Sequence, residues 1–182
     1  MFANSIFALF RRYLQSMMSY MICMKCRKKN GAWCLIPCAG RPVIRTDEKE
    51  TDMNLNERAE MAVQRKNSGK YNCAQAVTTA LADQTGLQEE QMKQISAGFC
   101  AGMGNMQATC GALIGAGMIA GLKTEGKGTL KVTRQIQEAF REACGAITCR
   151  DLKAVTDGKP LCPCEECVRN AVLIYGRVMG LE

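Results

Sequence analysis

The sequence predicts an all-α protein, a small bundle of about five main helices around a glycine-rich central helix. Three observations predict it. From Asn54 onward, apolar residues recur at three- and four-residue spacing, the period of a helix with one buried face. Capping residues and glycines punctuate the chain where such helices would start and stop. Alternating β-branched runs of four or more are absent after residue 50, so strand signals are weak.

Asn54 followed by Glu57 fits a capping box, in which each side chain satisfies an amide left free in the first turn. The first helix then covers about 54–67, with Leu55, Ala59, Ala62 and Val63 on one face and Gly69 as its stop. Asn72 caps a second helix that starts at Cys73, buries Ala76, Val77, Ala80 and Leu81, and ends at Gly86. A third runs from about Gln88 with Met92, Ile95 and Phe99 inward. After a glycine loop, Thr109 is expected to cap the central helix, with Cys110 at its first position and an end near Lys123. A fifth helix spans about Leu130 to Cys144, with Ile136, Ala139, Phe140 and Ala143 inward. Thr148 then caps a short turn beginning at Cys149, and a polar loop with Gly158 and Pro160 leads to Cys162. The last helix carries Val168, Ala171, Val172 and Tyr175 inward, and Glu165 and Glu166 read as a favourable acidic first turn.

The stretch Gly98–Gly121 holds seven glycines and two cysteines, and no charge occurs between Lys93 and Lys123. Glycine costs a helix interior about 1 kcal/mol, so Gly111, Gly115, Gly117 and Gly121 need a packing reason, and close helix approach supplies one. Gly102, Gly104, Gly111 and Gly115 are the positions where backbone is expected to approach a bound group. The apolar run is too short to span a bilayer, so the helix is read as the centre of a soluble bundle.

The chain has twelve cysteines and no histidine among its 182 residues. Ser-His and Cys-His catalysis and every His-ligated metal site are thereby excluded. Thiolate ligands suit zinc, Cu(I) or an iron–sulfur cluster. The net charge of +7 is uneven: residues 1–52 carry nine Lys/Arg against four Asp/Glu, and the remainder fifteen against thirteen. A main domain this close to neutral argues against a nucleic-acid-binding surface.

Residues 1–52 read as an N-terminal extension and residues 53–182 as the cysteine-rich helical domain. Three readings of the extension stand: a disordered segment, a membrane-surface helix over Phe2–Met24, or upstream sequence translated from a wrong start codon before Met53. The first charge, Arg11, lies behind the apolar start, which does not fit a secretory signal. Cys23, Cys26, Cys34 and Cys38 could close a zinc site, although the central spacing is shorter than in common zinc ribbons. A chain of residues 53–182 expressed alone is expected to fold and keep any bound metal. An unfolded circular dichroism spectrum for it, beside a folded full chain, would make the extension part of the domain.

Asn72-Cys73, Thr109-Cys110 and Thr148-Cys149 repeat one pattern, a capping residue followed by cysteine at a helix start. Amides and the positive end of the helix dipole favour a thiolate there. Cys167 falls in the first turn of the last helix, and Cys162, Cys164 and Cys167 form C-x-C-x2-C. Such close cysteines exchange disulfides or donate together to a metal. Cys144, on the apolar side of its helix, is read as core packing.

NCAQAV, GFCAGMG, TCGALIG, ITCRDL and CEECV, in this order and spacing, resemble the C-GCAxxG-C-C family, whose members are described as redox-active. The resemblance covers about residues 54–180. It implies a small helical cytoplasmic protein whose four signature cysteines are Cys73, Cys110, Cys149 and Cys167, with the CGAxxG stretch at Cys110-Gly111-Ala112 and Gly115. A likeness to the non-haem domain of split-Soret cytochromes implies an iron–sulfur cluster as cargo. No C-x-x-C-H motif is present, so covalent haem does not carry over. Cys100 stands where the family more often has glycine, and Cys162 and Cys164 read as additions. These three are secondary ligand candidates.

The leading expectation is a redox protein, an electron-transfer protein or oxidoreductase, whose four signature cysteines hold an iron–sulfur cluster or cycle between thiol and disulfide. The alternative is a non-redox module in which the same cysteines hold structural zinc. An enzyme with one cysteine nucleophile ranks last, because no general base accompanies it. The expected partners are a redox partner protein and, in a homodimer, a second copy of the chain. Membrane contact is expected only if residues 1–24 belong to the protein.

Overall fold

In the computed structural model, residues 53–181 are described, and the readings made of residues 1–52 lie outside them. Seven α-helices follow in order: α1 Leu55–Asn67, α2 Cys73–Ala80, α3 Glu89–Ser96, α4 Gly111–Lys123, α5 Thr129–Cys144, α6 Cys149–Lys153 and α7 Cys164–Met179. The fold is all-α. Helices α1, α2, α4, α5 and α7 pack as a bundle, with α7 touching α1, α2, α4 and α5.

The capping boxes at both Asn54–Glu57 and Asn72–Gln75 are formed, and each fixes the helix start that the sequence marks. In α1 the buried face is Ala59, Ala62 and Val63, and in α7 Val168, Ala171, Val172 and Tyr175 are all closed off from solvent. Leu55 of α1 packs directly over Gly176 of α7, so these two helices run close together. No described helix is long and apolar enough to cross a membrane.

Four local expectations differ from the structure. Ile95 is 54% exposed, and Ser96 takes the inward place one turn after Met92. The serine can be buried because its hydroxyl shares a 2.9 Å hydrogen bond with Thr78 and donates to the Met92 carbonyl. On α5 the inward stripe is Ile136, Phe140 and Cys144 at four-residue steps, and Ala143 faces out. The polar loop after α6 closes into a hairpin, with β1 Val155–Thr156 antiparallel to β2 Lys159–Pro160. Asp157 and Gly158 both have positive φ there, as a tight two-residue hairpin turn demands. The fourth difference is at the centre: α4 begins at Gly111, so Cys110 is the cap residue rather than the first helical one.

The glycines of α4 have two roles. Gly117 and Gly121 face Thr133 and Thr129 of α5 at ordinary contact distance. Gly115 lies against α2, where a Cβ would stand 3.1 Å from the Ala74 carbonyl oxygen and 3.2 Å from Val77 Cβ. Gly115→Ala would gain about 1 kcal/mol of helix propensity. It must also push back a packed backbone, at about 1–3 kcal/mol. The packing cost is the larger, so a lower melting temperature is expected. A raised one would show that α2 yields freely.

Candidate metal centre

Two backbone hydrogen bonds set the site. The Cys110 amide donates to the Ile147 carbonyl at 2.8 Å, and the Cys149 amide donates to the Ala108 carbonyl at 3.0 Å. This short bridge between Thr109 and Thr148 lays the start of α4 beside the start of α6. The Cys162 amide donates to the Leu152 carbonyl at 3.0 Å, which ties the approach to α7 onto α6. Cys164 and Cys167, one turn apart on α7, then face the same region, and Cys73 reaches it from the start of α2.

The result is a cavity of about 190 Å³ lined by Cys73, Cys110, Cys149 and Cys167, with Cys100, Cys162 and Cys164 beside them. Ala101, Leu152, Lys66 and Lys153 complete the wall. Behind Cys162 and Cys167 lies Cys144, at the last position of α5. The sulfurs of Cys144, Cys162 and Cys167 lie within 4.8 Å of one another, and all three residues are buried. Asn170 Nδ2 donates to Cys144 Sγ at 3.4 Å. This trio is a cysteine cluster capable of coordinating a metal ion. Cys144 belongs to the buried core, as its place on α5 predicts, and the cluster adds a candidate ligand role to it. Cys144 is indeed buried, but its sulfur is turned to Cys162 and Cys167. The one available signal was the inward stripe of α5, which aims Cys144 at α7.

The thiols divide electrostatically. The Cys110 thiol is pushed down to about 7, first by the Cys167 thiol hydrogen-bonded to it and then by the Ala112 and Leu113 amides. The Cys144 thiol is pushed down to about 6, again chiefly by Cys167, with Asn170 helping. Cys167 itself is pushed far up by these two neighbours and by burial. Burial pushes Cys162 up to about 12 and Cys73 up to about 11. Cys149 is raised as well, first by burial. The expectation of a thiolate at every helix start therefore fails at Cys73 and Cys149. Removal from water outweighs the helix-start amides there.

The four glycines proposed from sequence to face a bound group separate. Gly111 meets the Phe99 carbonyl, and a Cβ on it would come within 2.7 Å of Cys73 Sγ. A Cβ on Gly102 would stand 2.8 Å from Cys149 Cβ. Both therefore keep space beside cavity cysteines. Gly115 belongs to the α2–α4 contact, and Gly104, with φ +90, has nothing within 4 Å of where a side chain would start.

A helical bundle whose helix starts and loops deliver cysteines to one cavity defines a cysteine-rich protein with a metal-capable thiol cluster. Residues 71–178, more than half of the chain, match the family described as "Putative redox-active protein (C_GCAxxG_C_C)", and the chain belongs to that family. The match begins at Tyr71, so α1 lies outside it. No curated protein and no solved structure matches the chain.

Proposed function

We propose that the protein is a thiolate metal protein whose buried centre, formed by Cys144, Cys162 and Cys167 with Cys110 as fourth donor, holds zinc in a structural role. The observation that carries this is the 4.8 Å limit on the separation of the three sulfurs. Zinc–sulfur bonds of about 2.3 Å in a tetrahedron set the sulfurs about 3.8 Å apart, so the trio is close to the spacing that one ion requires. Cys110 lines the same cavity wall as Cys162 and Cys167, at the start of α4, and would swing in as the fourth donor. All four residues are no more than 5% exposed, and a centre closed to solvent suits a structural rather than a catalytic ion. The zinc ion would offset the thiolate charge and cross-link α4, α5 and α7.

The redox reading has its own support. Cys73, Cys110, Cys149 and Cys167 line one cavity, and the family is described as redox-active. In that reading the four bind an iron–sulfur cluster or exchange disulfides with a partner protein. Lys66 and Lys153 would offset the charge of such thiolates.

Oxygen-free purification followed by metal analysis and an absorption spectrum separates the readings. Zinc without visible bands is expected, together with a lower melting temperature after a strong chelator. Visible charge-transfer bands with iron and sulfide would replace zinc by a cluster. Absence of any metal would leave thiol chemistry.

A further inference from the structure

Cys164 and Cys167 form a C-x-x-C pair at the start of α7. The Cys167 amide donates to the Pro163 carbonyl at 2.9 Å, which closes the first turn with Cys164 at its beginning. Residues three apart on a helix share a face. A rise of about 1.5 Å per residue and a radius of about 2.3 Å set their Cα atoms about 5 Å apart. A disulfide needs a Cα separation of about 4.4–6.8 Å, so this pair can close without a shift of backbone.

The two thiols differ in access. Both line the cavity of about 190 Å³, but Cys164 is half-buried and Cys167 is buried. Cys73, Cys110, Cys149 and Cys162 are buried as well, so Cys164 and Cys100 are the cavity thiols that a reagent meets first. Cys100 has no cysteine one turn away; the nearest in sequence is Cys110, ten residues on. An accessible sulfur followed by a buried one within its reach suits thiol–disulfide exchange, which passes through a mixed disulfide on the first and is resolved by the second. Cys167 also belongs to the buried trio, with its sulfur within 4.8 Å of those of Cys144 and Cys162. The pair and the trio therefore compete for one sulfur atom. Apart from the cysteines, the charged lining side chains are Lys66 and Lys153, with no carboxylate among them. They favour a reagent that carries carboxylates.

We propose that Cys164 and Cys167 are a redox dithiol that exchanges with a small carboxylate-bearing disulfide, and that its closure withdraws Cys167 from the metal centre. The Cys164 thiolate attacks one sulfur of the disulfide R–S–S–R, its S–S bond breaks, and the first RS⁻ leaves. Cys167 then attacks Cys164 Sγ in the mixed disulfide, and the second RS⁻ leaves. Two protein thiols are oxidised and one disulfide is reduced to two RSH, which carry off the two cysteine protons. In the zinc form the Zn–S bond to Cys167 breaks instead, and solvent supplies the second proton. The withdrawal rests on the reading of the trio as a zinc centre; the exchange does not.

The test uses the full chain with Cys23, Cys26, Cys34 and Cys38 replaced by Ser, kept free of oxygen and treated with oxidised glutathione. Thiols are alkylated with one label before reduction and with a second label after it, and the sites are mapped by mass spectrometry. The second label is expected on Cys164 together with Cys167, with zinc released at the same rate. In C164S the oxidation of Cys167 should slow by about tenfold or more, because the sulfur that the disulfide reaches is gone. K153Q should slow the reaction with oxidised glutathione but not with the cationic disulfide cystamine, and an equal rate would overturn the preference for carboxylates. A second label on any set other than Cys164 with Cys167, or unslowed oxidation of Cys167 in C164S, would overturn the dithiol whatever the zinc content. Closure of the pair in a protein that held no zinc would support the dithiol and overturn the metal centre. Zinc retained after closure would overturn the withdrawal.

Discussion

Cys167→Ser is expected to abolish metal retention and to cause the largest loss of stability of any single cysteine change. Cys167 is 3% exposed, lies within 4.8 Å of Cys144 and Cys162 at sulfur, and donates from its thiol to the Cys162 carbonyl at 3.7 Å. Structural zinc sites contribute about 10–16 kcal/mol, so losing one of four ligands costs several kcal/mol. Serine is close in size to cysteine, and without metal the variant should differ from the parent by about 1 kcal/mol, the scale of one hydrogen bond. Melting each protein with and without chelator separates the effects. The parent should fall steeply on chelation, and the variant should start near the chelated parent. A variant that keeps both its metal and its melting temperature would remove Cys167 from the centre.

The second large effect is expected at Gly111. An added Cβ would overlap the Phe99 carbonyl and stand 2.7 Å from Cys73 Sγ. Unlike Gly115, where the neighbours need to give only a few tenths of an ångström, Gly111 meets fixed backbone on one side and a ligand candidate on the other. The propensity gain of about 1 kcal/mol is outweighed by the displacement of the loop, and overpacking typically costs 1–3 kcal/mol or more. Gly111→Ala should therefore lower the melting temperature by more than Gly115→Ala does. It should also speed alkylation of Cys73, because the sulfur must move. Equal melting temperatures for the two variants would show that the loop before α4 gives way without cost.

Much of the bundle was legible because its helix starts are written locally. Asn54 and Glu57 form the reciprocal bonds that their spacing predicts, and Asn72 caps its helix as expected, with Gln75 bonding back to it. The errors arose where a partner distant in sequence decided the outcome. Ser96 displaces Ile95 from the interior because Thr78 lies opposite, a fact that no local window contains. Likewise, the α5 stripe Ile136-Phe140-Cys144 shows where Cys144 points, but not that Cys162 and Cys167 wait there. Cys110 stands just before its helix and not at its first position, because the extended bridge to Ile147 holds it back. The Asp157-Gly158 hairpin was an overlooked local signal, since that dipeptide is a strong two-residue turn former.

The buried trio has one further consequence, for assembly. Cys144, Cys162 and Cys167 all fall in the C-terminal third of the described chain, whereas Cys73 lies near its beginning. Joining the trio requires closing only short loops, and the entropic cost of closure rises with loop length. An ion can therefore gather the end of α5, the hairpin and the start of α7 before α1 and α2 have docked. The same nearness lets the unfolded chain compete for metal, and binding to the unfolded state subtracts from the stabilisation that an ion confers. Metal added during refolding should thus speed the ordering of α5 and α7 more than that of α1 and α2, a difference that pulsed hydrogen exchange reads segment by segment.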